Sequence, residues 1–415
     1  MQYCAKHLIY SKVNIFMKHD AYRDVIMNMK VIVTVAVVIA LIIGFLAGYE
    51  YNSLTTPVPV KVGVTVIAAG SLGYALREVG QNWTVLYPDH PTLPDGGIYS
   101  GSVGDARDIA AGQKYDVFAS AAADVIPMIL SPTYASWMIV FATNQIAILY
   151  LPNSTAKLTV ENVTYSVTQI NSTNWWMFIT APGVTIGVSN GSTDPDGFQS
   201  IQAMKLAGVY LLQTDNVAYN DWFHNVLGFP LNDSNAIFDQ IWKNKFTSGQ
   251  LKPVGVETSL DSAIATGTPC YALSYRSLAK SDGLGYVQLP WQVNLGSINS
   301  TAVSYYSQVN SSGAPILLSG SPAQASNPAG PIFYAVTIPN TAPNPTMGLD
   351  YITLLLSQIG QQVLQNTYFT PISVPYAVPF SSGVSIPAQL LPFTESLPSY
   401  LQTGSGYTAI MGPSA

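Results

Sequence analysis

The sequence predicts an α/β fold with room for two domains, behind an N-terminal apolar segment. Three observations predict it. Short β-rich apolar runs alternate with amphipathic stretches, the pattern of strands packed against helices. The chain has 415 residues, more than the roughly 250–300 that a single hydrophobic core organises. One run, Val31 to Tyr49, is free of charge and predominantly apolar over 19 residues, and no second run of this kind follows.

That first run is long enough to cross a bilayer as a helix. The residues before it carry Lys6, Lys12, Lys18, Arg23 and Lys30 against Asp20 and Asp24, and positive charge stays on the cytoplasmic side. Residues 1–30 therefore read as a cytoplasmic segment, or as an extension ahead of a true start at Met27 or Met29. Residues 31–49 read as a transmembrane anchor or a signal peptide, and the polar, proline-containing residues 50–60 as a linker. On either reading the rest is extracytoplasmic, anchored at the cell surface or secreted.

Composition agrees. Asn-X-Ser/Thr acceptors at Asn82, Asn153, Asn162, Asn171, Asn190, Asn232, Asn299 and Asn310 all follow the apolar run, as in a surface glycoprotein. Cys4 and Cys270 flank that run and cannot pair across a membrane. Only 9% of residues are charged and the net charge is −6; with no basic stripe, nucleic acid is excluded as a partner.

The elements follow in order. Lys61–Ala69 is a strand, Gly70-Ser71 a turn and Leu72–Val79 a helix. Gly101-Ser102 leads into a helix over Val103–Ala111, and Asp116–Ala119 is a short strand. Phe141–Leu151 is one strand-like run, and Leu158–Val160 with Val163–Val167 a surface hairpin. Val184–Val188 is a strand, followed by a helix over Phe198–Leu212 with Ile201, Met204 and Ala207 on one face. Asp221–Leu227 and Ala236–Ser248 read as helices, Val254–Val256 as a strand, Leu260–Thr266 as a helix and Ala272–Tyr275 as a strand. A Ser/Asn/Gly/Pro-rich insertion without period spans 297–331. Ile332–Ile338 is a strand, Pro345–Gln365 one long amphipathic helix, and Phe369 onward a proline-rich tail.

Four places share one construction, a strand followed by a small or acidic residue at a helix start: Gly70-Ser71, Gly101-Ser102, Asp194-Pro195-Asp196 and Glu257-Thr258. Taken singly, each is a plain helix cap, with Pro195 at a first-turn position where its missing N–H costs nothing. Taken together, they offer several sets of unpaired N–H groups to one anion. The acids oppose that reading, because a carboxylate repels an anion. A high-valent metal oxyanion removes the conflict, since molybdenum or tungsten expands its coordination to accept carboxylate oxygens, whereas sulfate and phosphate do not.

These residues resemble the archaeal tungstate/molybdate-binding proteins, extracytoplasmic receptors of ABC transporters. The resemblance rests on Ala69-Gly70-Ser71, Gly101-Ser102-Val103, Asp116–Ser120, Tyr134-Ala135 with Trp137, Phe141-Ala142 with Asn144-Gln145, Ser189-Asn190, and Asp194-Pro195 with Gly197-Phe198. Pro253 near Glu257, Tyr275–Ser277, Leu289-Pro290 with Asn294-Leu295, Val336–Pro339 and Ala342–Asn344 continue it, from residue 61 to about 375. It implies a two-lobed periplasmic-binding-protein fold of type II, with a mostly parallel sheet in each lobe. Lobe one would hold residues 61–145 and 279–394, lobe two 146–278, with hinge crossings near Ala147 and Ser277 and a C-terminal tail over 395–415. It also implies an oxyanion site of Gly70, Ser71, Ser102, Asp194, Pro195, Asp196, Glu257 and Tyr275, with the Asp194 and Glu257 carboxylates reaching the molybdenum or tungsten of the ligand. Asp196 stands where the family usually has Cys, and only its backbone N–H is expected to face the ligand.

The expected function is capture of tungstate or molybdate by a monomer and delivery to a membrane permease and its ATPase, with no cofactor and no catalysis. Other readings are a receptor for sulfate or phosphate, a glycosidase-like hydrolase with Asp194 and Glu257 as acid and base, and a structural surface glycoprotein. The four His, His7, His19, His90 and His224, leave few candidates for a Ser–His or Cys–His pair.

Overall fold

A computed structural model describes residues 28–44, 63–90, 97–191, 194–220, 251–266, 270–309 and 328–412. The 50–60 linker, Cys4, His7, His19, His224, the acceptors Asn232 and Asn310, and the expected helices Asp221–Leu227 and Ala236–Ser248 lie outside the described residues. The chain divides into two compact units, Met1–Lys61 and Val62–Ala415.

In the first unit, residues 28–44 are helical and exposed throughout. At 1.5 Å per residue the described part of this helix is about 25 Å long. Among the described residues no helix is long and apolar enough to cross a membrane. The expected transmembrane segment over 31–49 is therefore not supported by the described residues, and residues 45–49 lie outside them.

The second unit holds two mixed sheets. Its strands are β1 (Val66–Ala69), β2 (Ile98–Ser100), β3 (Val117–Ser120), β4 (Trp137–Thr143), β5 (Ile146–Tyr150), β6 (Lys157–Val160), β7 (Val163–Ser166), β8 (Ile186–Ser189), β9 (Leu251–Val254), β10 (Tyr271–Tyr275), β11 (Gly285–Gln288), β12 (Phe333–Thr337), β13 (Thr370–Pro379) and β14 (Glu395–Ser396). Helices that matter below are α1 (Gly73–Leu86), α2 (Ser102–Ala110), α3 (Pro195–Thr214), α4 (Leu260–Ala265), α5 (Ser300–Tyr306), α6 (Pro345–Leu356), α7 (Gln358–Asn366) and α8 (Gly404–Met411). One sheet runs β14-β13-β4-β12-β3-β1-β2, the other β11-β5-β10-β8-β9, and β6-β7 forms the expected hairpin.

Strands β1, β3, β4 and β12 are buried at every residue, as interior strands covered on both faces are. Parallelism is less than expected. β1 pairs in parallel with β2 and β3, and β8 with β9 and β10, but β12 and β4 run antiparallel to their neighbours, as do β5 and β11.

Four further expectations change. The run Phe141–Leu151 is two strands in different sheets, parted at Asn144-Gln145. The segment after Phe369 contains a strand of ten residues, β13; its Pro375 is accommodated because the register with β4 shifts between Pro371 and Tyr376, and proline is tolerated where a ladder is interrupted. The long helix breaks at Ser357 into α6 and α7, where Gly360 lies so close to Leu355 O that a Cβ would sit 2.0 Å from it. Within the 297–331 insertion, Ser300–Tyr306 is helical, capped by Asn299, whose side chain accepts from Ala302 N. Strand β11 also joins the five-stranded sheet, so a return to lobe one at residue 279 comes about ten residues too early.

Candidate functional site

The four expected helix starts all stand where strands end. β1 runs into a 3-10 turn, Gly70–Leu72, ahead of α1. α2 opens at Ser102 with Gly101 as its cap. β8 leads to Asp194, which caps α3, with Pro195 and Asp196 in the first turn. A 3-10 turn over Glu257–Ser259 precedes α4. Gly197 makes the third possible: a Cβ there would lie 2.3 Å from Gly191 N and 2.5 Å from Ser189 O, so only glycine lets the helix start pack onto the strand end.

The structure brings Gly70 and Ser71 of the seven-stranded sheet against Asp194 and Glu257 of the five-stranded one. Ser71 N donates to Glu257 Oε1 at 2.7 Å, and Glu257 N donates to Asp194 Oδ2 at 2.7 Å. Asp194 Oδ1 accepts from Asp196 N at 3.1 Å. A Cβ on Gly70 would sit 2.6 Å from Thr258 Cγ2 and 3.0 Å from Glu257 Oε1. Ser71, Asp194, Asp196 and Glu257 are each no more than 3% exposed. Neither Ser71 nor Ser102 caps its helix through its side chain. Ser71 Oγ bonds the Tyr334 hydroxyl at 2.8 Å, and Ser102 Oγ accepts from Ala121 N at 2.9 Å. Tyr275 donates to Gln199 Oε1 at 2.7 Å, its ring edge-on to Tyr334 with centroids 5.9 Å apart.

Burial dominates the electrostatics. It pushes the Glu257 carboxyl well above the usual carboxylate range, and the neighbouring Asp194 charge pushes it further. Asp194 is raised by burial too, with the Glu257 side chain and main chain holding it down in part. The pair behaves as two acids competing for one proton. Asp196 is raised well above the ordinary range by burial and then by Asp194. Hydroxyls of Ser274, Ser189 and Ser200 surround its carboxyl, yet neither carboxyl oxygen closes a hydrogen bond of good geometry, and Glu257 Oε2 is likewise unpartnered. The Asp196 backbone N–H, expected to face a ligand, is engaged by Asp194 instead.

Two residues join the site that the sequence reading passed over. Tyr334 lies in a strand buried at every position and so reads as core, but its hydroxyl meets both Ser71 and Asn144 Nδ2, the latter at 3.2 Å. A tyrosine in such a strand needs a polar partner for its hydroxyl, and that was the available signal. Asp105 is 1% exposed in the first turn of α2. It accepts from Ser100 Oγ, its Oδ2 has no partner, and burial raises it to about 7, with Asp108 and Asp194 adding to the rise. The Ser-X-X-Asp spacing from Ser102 was its trace in the sequence.

Two sheets of mixed strands meet along a buried seam of helix starts, hydroxyls and acids, the α/β architecture of a periplasmic-binding-protein-like fold. The chain belongs to the bacterial extracellular solute-binding protein family, whose model matches residues 64–370. Proteins of this kind are transport receptors rather than enzymes, so the hydrolase reading falls away. An uncharacterized solute-binding protein of Thermoplasma acidophilum is 34% identical over 90% of this chain and 96% of its own length. A molybdate/tungstate-binding protein of Pyrococcus abyssi is 27% identical over 67% of this chain and 75% of its own. Among solved structures, the periplasmic molybdate-binding protein of Azotobacter vinelandii aligns at TM-score 0.47 and 11% identity, over 74% of this chain and 98% of that one.

Proposed function

We propose that the chain captures tungstate or molybdate in the seam between its two sheets and presents it to the permease of an ABC transporter. One observation carries this reading. The Asp194 and Glu257 carboxyls are buried together and already occupy the N–H groups, Ser71 N, Glu257 N and Asp196 N, that an oxyanion would seek. A sulfate or phosphate would meet two acids it cannot bond. A group 6 oxyanion accepts carboxylate oxygens at its metal, so the same acids become ligands while the freed N–H groups bind its oxo groups. Relatives described as molybdate/tungstate-binding, from Pyrococcus abyssi and Thermococcus kodakarensis, support the choice.

Ser71, Ser102 and Gly70 would act from one lobe, Asp194, Pro195, Asp196 and Glu257 from the other, and Tyr275 would wall the pocket. The lobes are taken as the two sheets with their helices, crossing at Asn144–Ala147 and again beyond β11, with Asn144 Nδ2 donating to Ser277 Oγ at 2.8 Å beside the first crossing. Calorimetric titration of the ligand-free protein with tungstate, molybdate, sulfate and phosphate tests the proposal. Tight binding of only the first two is expected; equal binding of sulfate would overturn the carboxylate argument.

A further inference from the structure

Between β5 and β8 the chain leaves the five-stranded sheet for the hairpin β6-β7, which forms a sheet of its own. One face of the hairpin is fixed. Leu158 and Val160 are buried, the Tyr165 ring packs on Phe178 with centroids 5.5 Å apart, and just past the hairpin the Tyr271 hydroxyl of β10 donates to Val167 O at 2.8 Å. The other face is open: Asn153, Asn162 and Asn171 are exposed, and so are Thr155, Thr164 and Thr173, each two residues further on. We propose that Asn153, Asn162 and Asn171 are a cluster of N-glycosylation sites, each carrying an oligosaccharide on its amide nitrogen.

The structure separates these acceptors from others that share the Asn-X-Ser/Thr motif. Asn162 stands at the hairpin tip, where Glu161 and Asn162 both have positive φ, 49° and 66°, as in a tight two-residue turn. Asn171 lies in the next turn. Its Oδ1 accepts from Thr173 N at 2.8 Å and from Thr173 Oγ1 at 2.7 Å, so the hydroxyl that the motif requires already touches the amide it serves. By contrast Asn82 lies inside α1, its Nδ2 donating to Glu78 O at 2.9 Å beside the buried Trp83. Asn299 caps α5 through Oδ1 and donates to Ser297 Oγ at 3.1 Å. Acceptors belong to surface loops, and these two belong to helices.

The segment also has a use for glycans. A two-stranded sheet exposes edges on which another chain can pair, and charged side chains commonly guard such edges. Residues 153–173 hold two charges, Lys157 and Glu161, so bulky, solubilising sugar takes that part. The donor is a polyprenyl-phosphate-linked oligosaccharide on the extracytoplasmic side, where the family works. The amide nitrogen attacks its anomeric carbon: an N–C bond forms, the C–O bond to phosphate breaks with its electron pair leaving on the lipid phosphate, and one amide proton passes to the transferase. The N–H that remains on Asn171 can still donate to Gln169 O, which its Nδ2 meets at 3.3 Å.

Mass spectrometry of chymotryptic peptides from the full chain, isolated from its own cells, tests the cluster. Peptides holding Asn153, Asn162 and Asn171 are expected at glycan-bearing mass, and those holding Asn82 and Asn299 at bare mass. Thr173→Ala should abolish the modification at Asn171, whereas Thr173→Ser, which keeps the hydroxyl, should retain it. Tungstate titration should be the same in both variants, which shows that each is folded and keeps this proposal apart from the oxyanion reading. Bare mass at all three sites, equal modification of Asn82, or a modified Asn171 in Thr173→Ala would overturn the proposal.

Discussion

The two sheets bring opposite chemistry to one seam. From the seven-stranded side come Gly70, Ser71 and Tyr334, a glycine, an N–H and two hydroxyls. From the five-stranded side come Asp194, Asp196 and Glu257, three acids in one buried neighbourhood. The donor side is satisfied as it stands, because its groups are neutral and each finds a partner. The acid side is not, because burying carboxyls raises the cost of their charge and two of the three keep an oxygen with no partner. The acids therefore hold the seam in a state that protons or a ligand must complete.

Glu257→Gln breaks the comparison most sharply. The amide keeps a carbonyl oxygen for Ser71 N, so the contact between sheets survives while the charge is lost. Tungstate affinity should fall about 100-fold, or ~2.7 kcal/mol, with the melting temperature of the ligand-free protein unchanged or raised. An unchanged affinity in calorimetry would make Glu257 a helix-start residue and no more.

Gly70→Ala attacks the approach of the two sides. Its Cβ would meet Thr258 Cγ2 across the seam at 2.6 Å. Affinity for tungstate should drop roughly tenfold, and Thr258→Ser, which removes that methyl, should restore most of it in the double variant. A double variant no better than the single one would place the obstruction elsewhere.

Much of this seam was legible because it is local. A strand that ends in Gly-Ser, or a proline after an aspartate, announces a helix start from neighbours within a few residues, and all four starts form. What depended on distant partners was not legible. Asn144-Gln145 reads as the middle of an apolar run, and only pairing with different sheets shows that the chain passes from one sheet to the other there. The prolines of β13 argue against a strand, and only its pairing with β4 shows the irregularity that takes up Pro375. Asp196 carries no mark in the sequence of the three serines, from β8, α3 and β10, that close around it.

Asp105 sharpens the comparison through pH, since it puts a buried acid on the otherwise neutral side. Its carboxyl is raised to about 7, so the folded state binds more protons than the unfolded chain between the ordinary carboxylate range and pH 7. Stability is then greatest at low pH and is lost as pH rises through 7. The melting temperature of the ligand-free protein should fall by roughly 5 °C between pH 4 and 7. Asp105→Asn should flatten part of that slope, and a slope identical in the variant would assign the whole effect to the acids across the seam.

The smallest expected effect tests whether the neutral side is itself preorganised. Tyr334→Phe removes the hydroxyl that joins Ser71 Oγ to Asn144 Nδ2 and leaves the ring packed edge-on to Tyr275 and Phe369. No charge changes, and Ser71 N keeps its bond to Glu257. The loss is one buried hydrogen bond, about 1 kcal/mol, or about fivefold in tungstate affinity if Ser71 must be held in place to bind. If stability falls by that amount while affinity stays the same, the hydroxyl serves the fold alone, and the donor side works through its main chain rather than through a positioned serine.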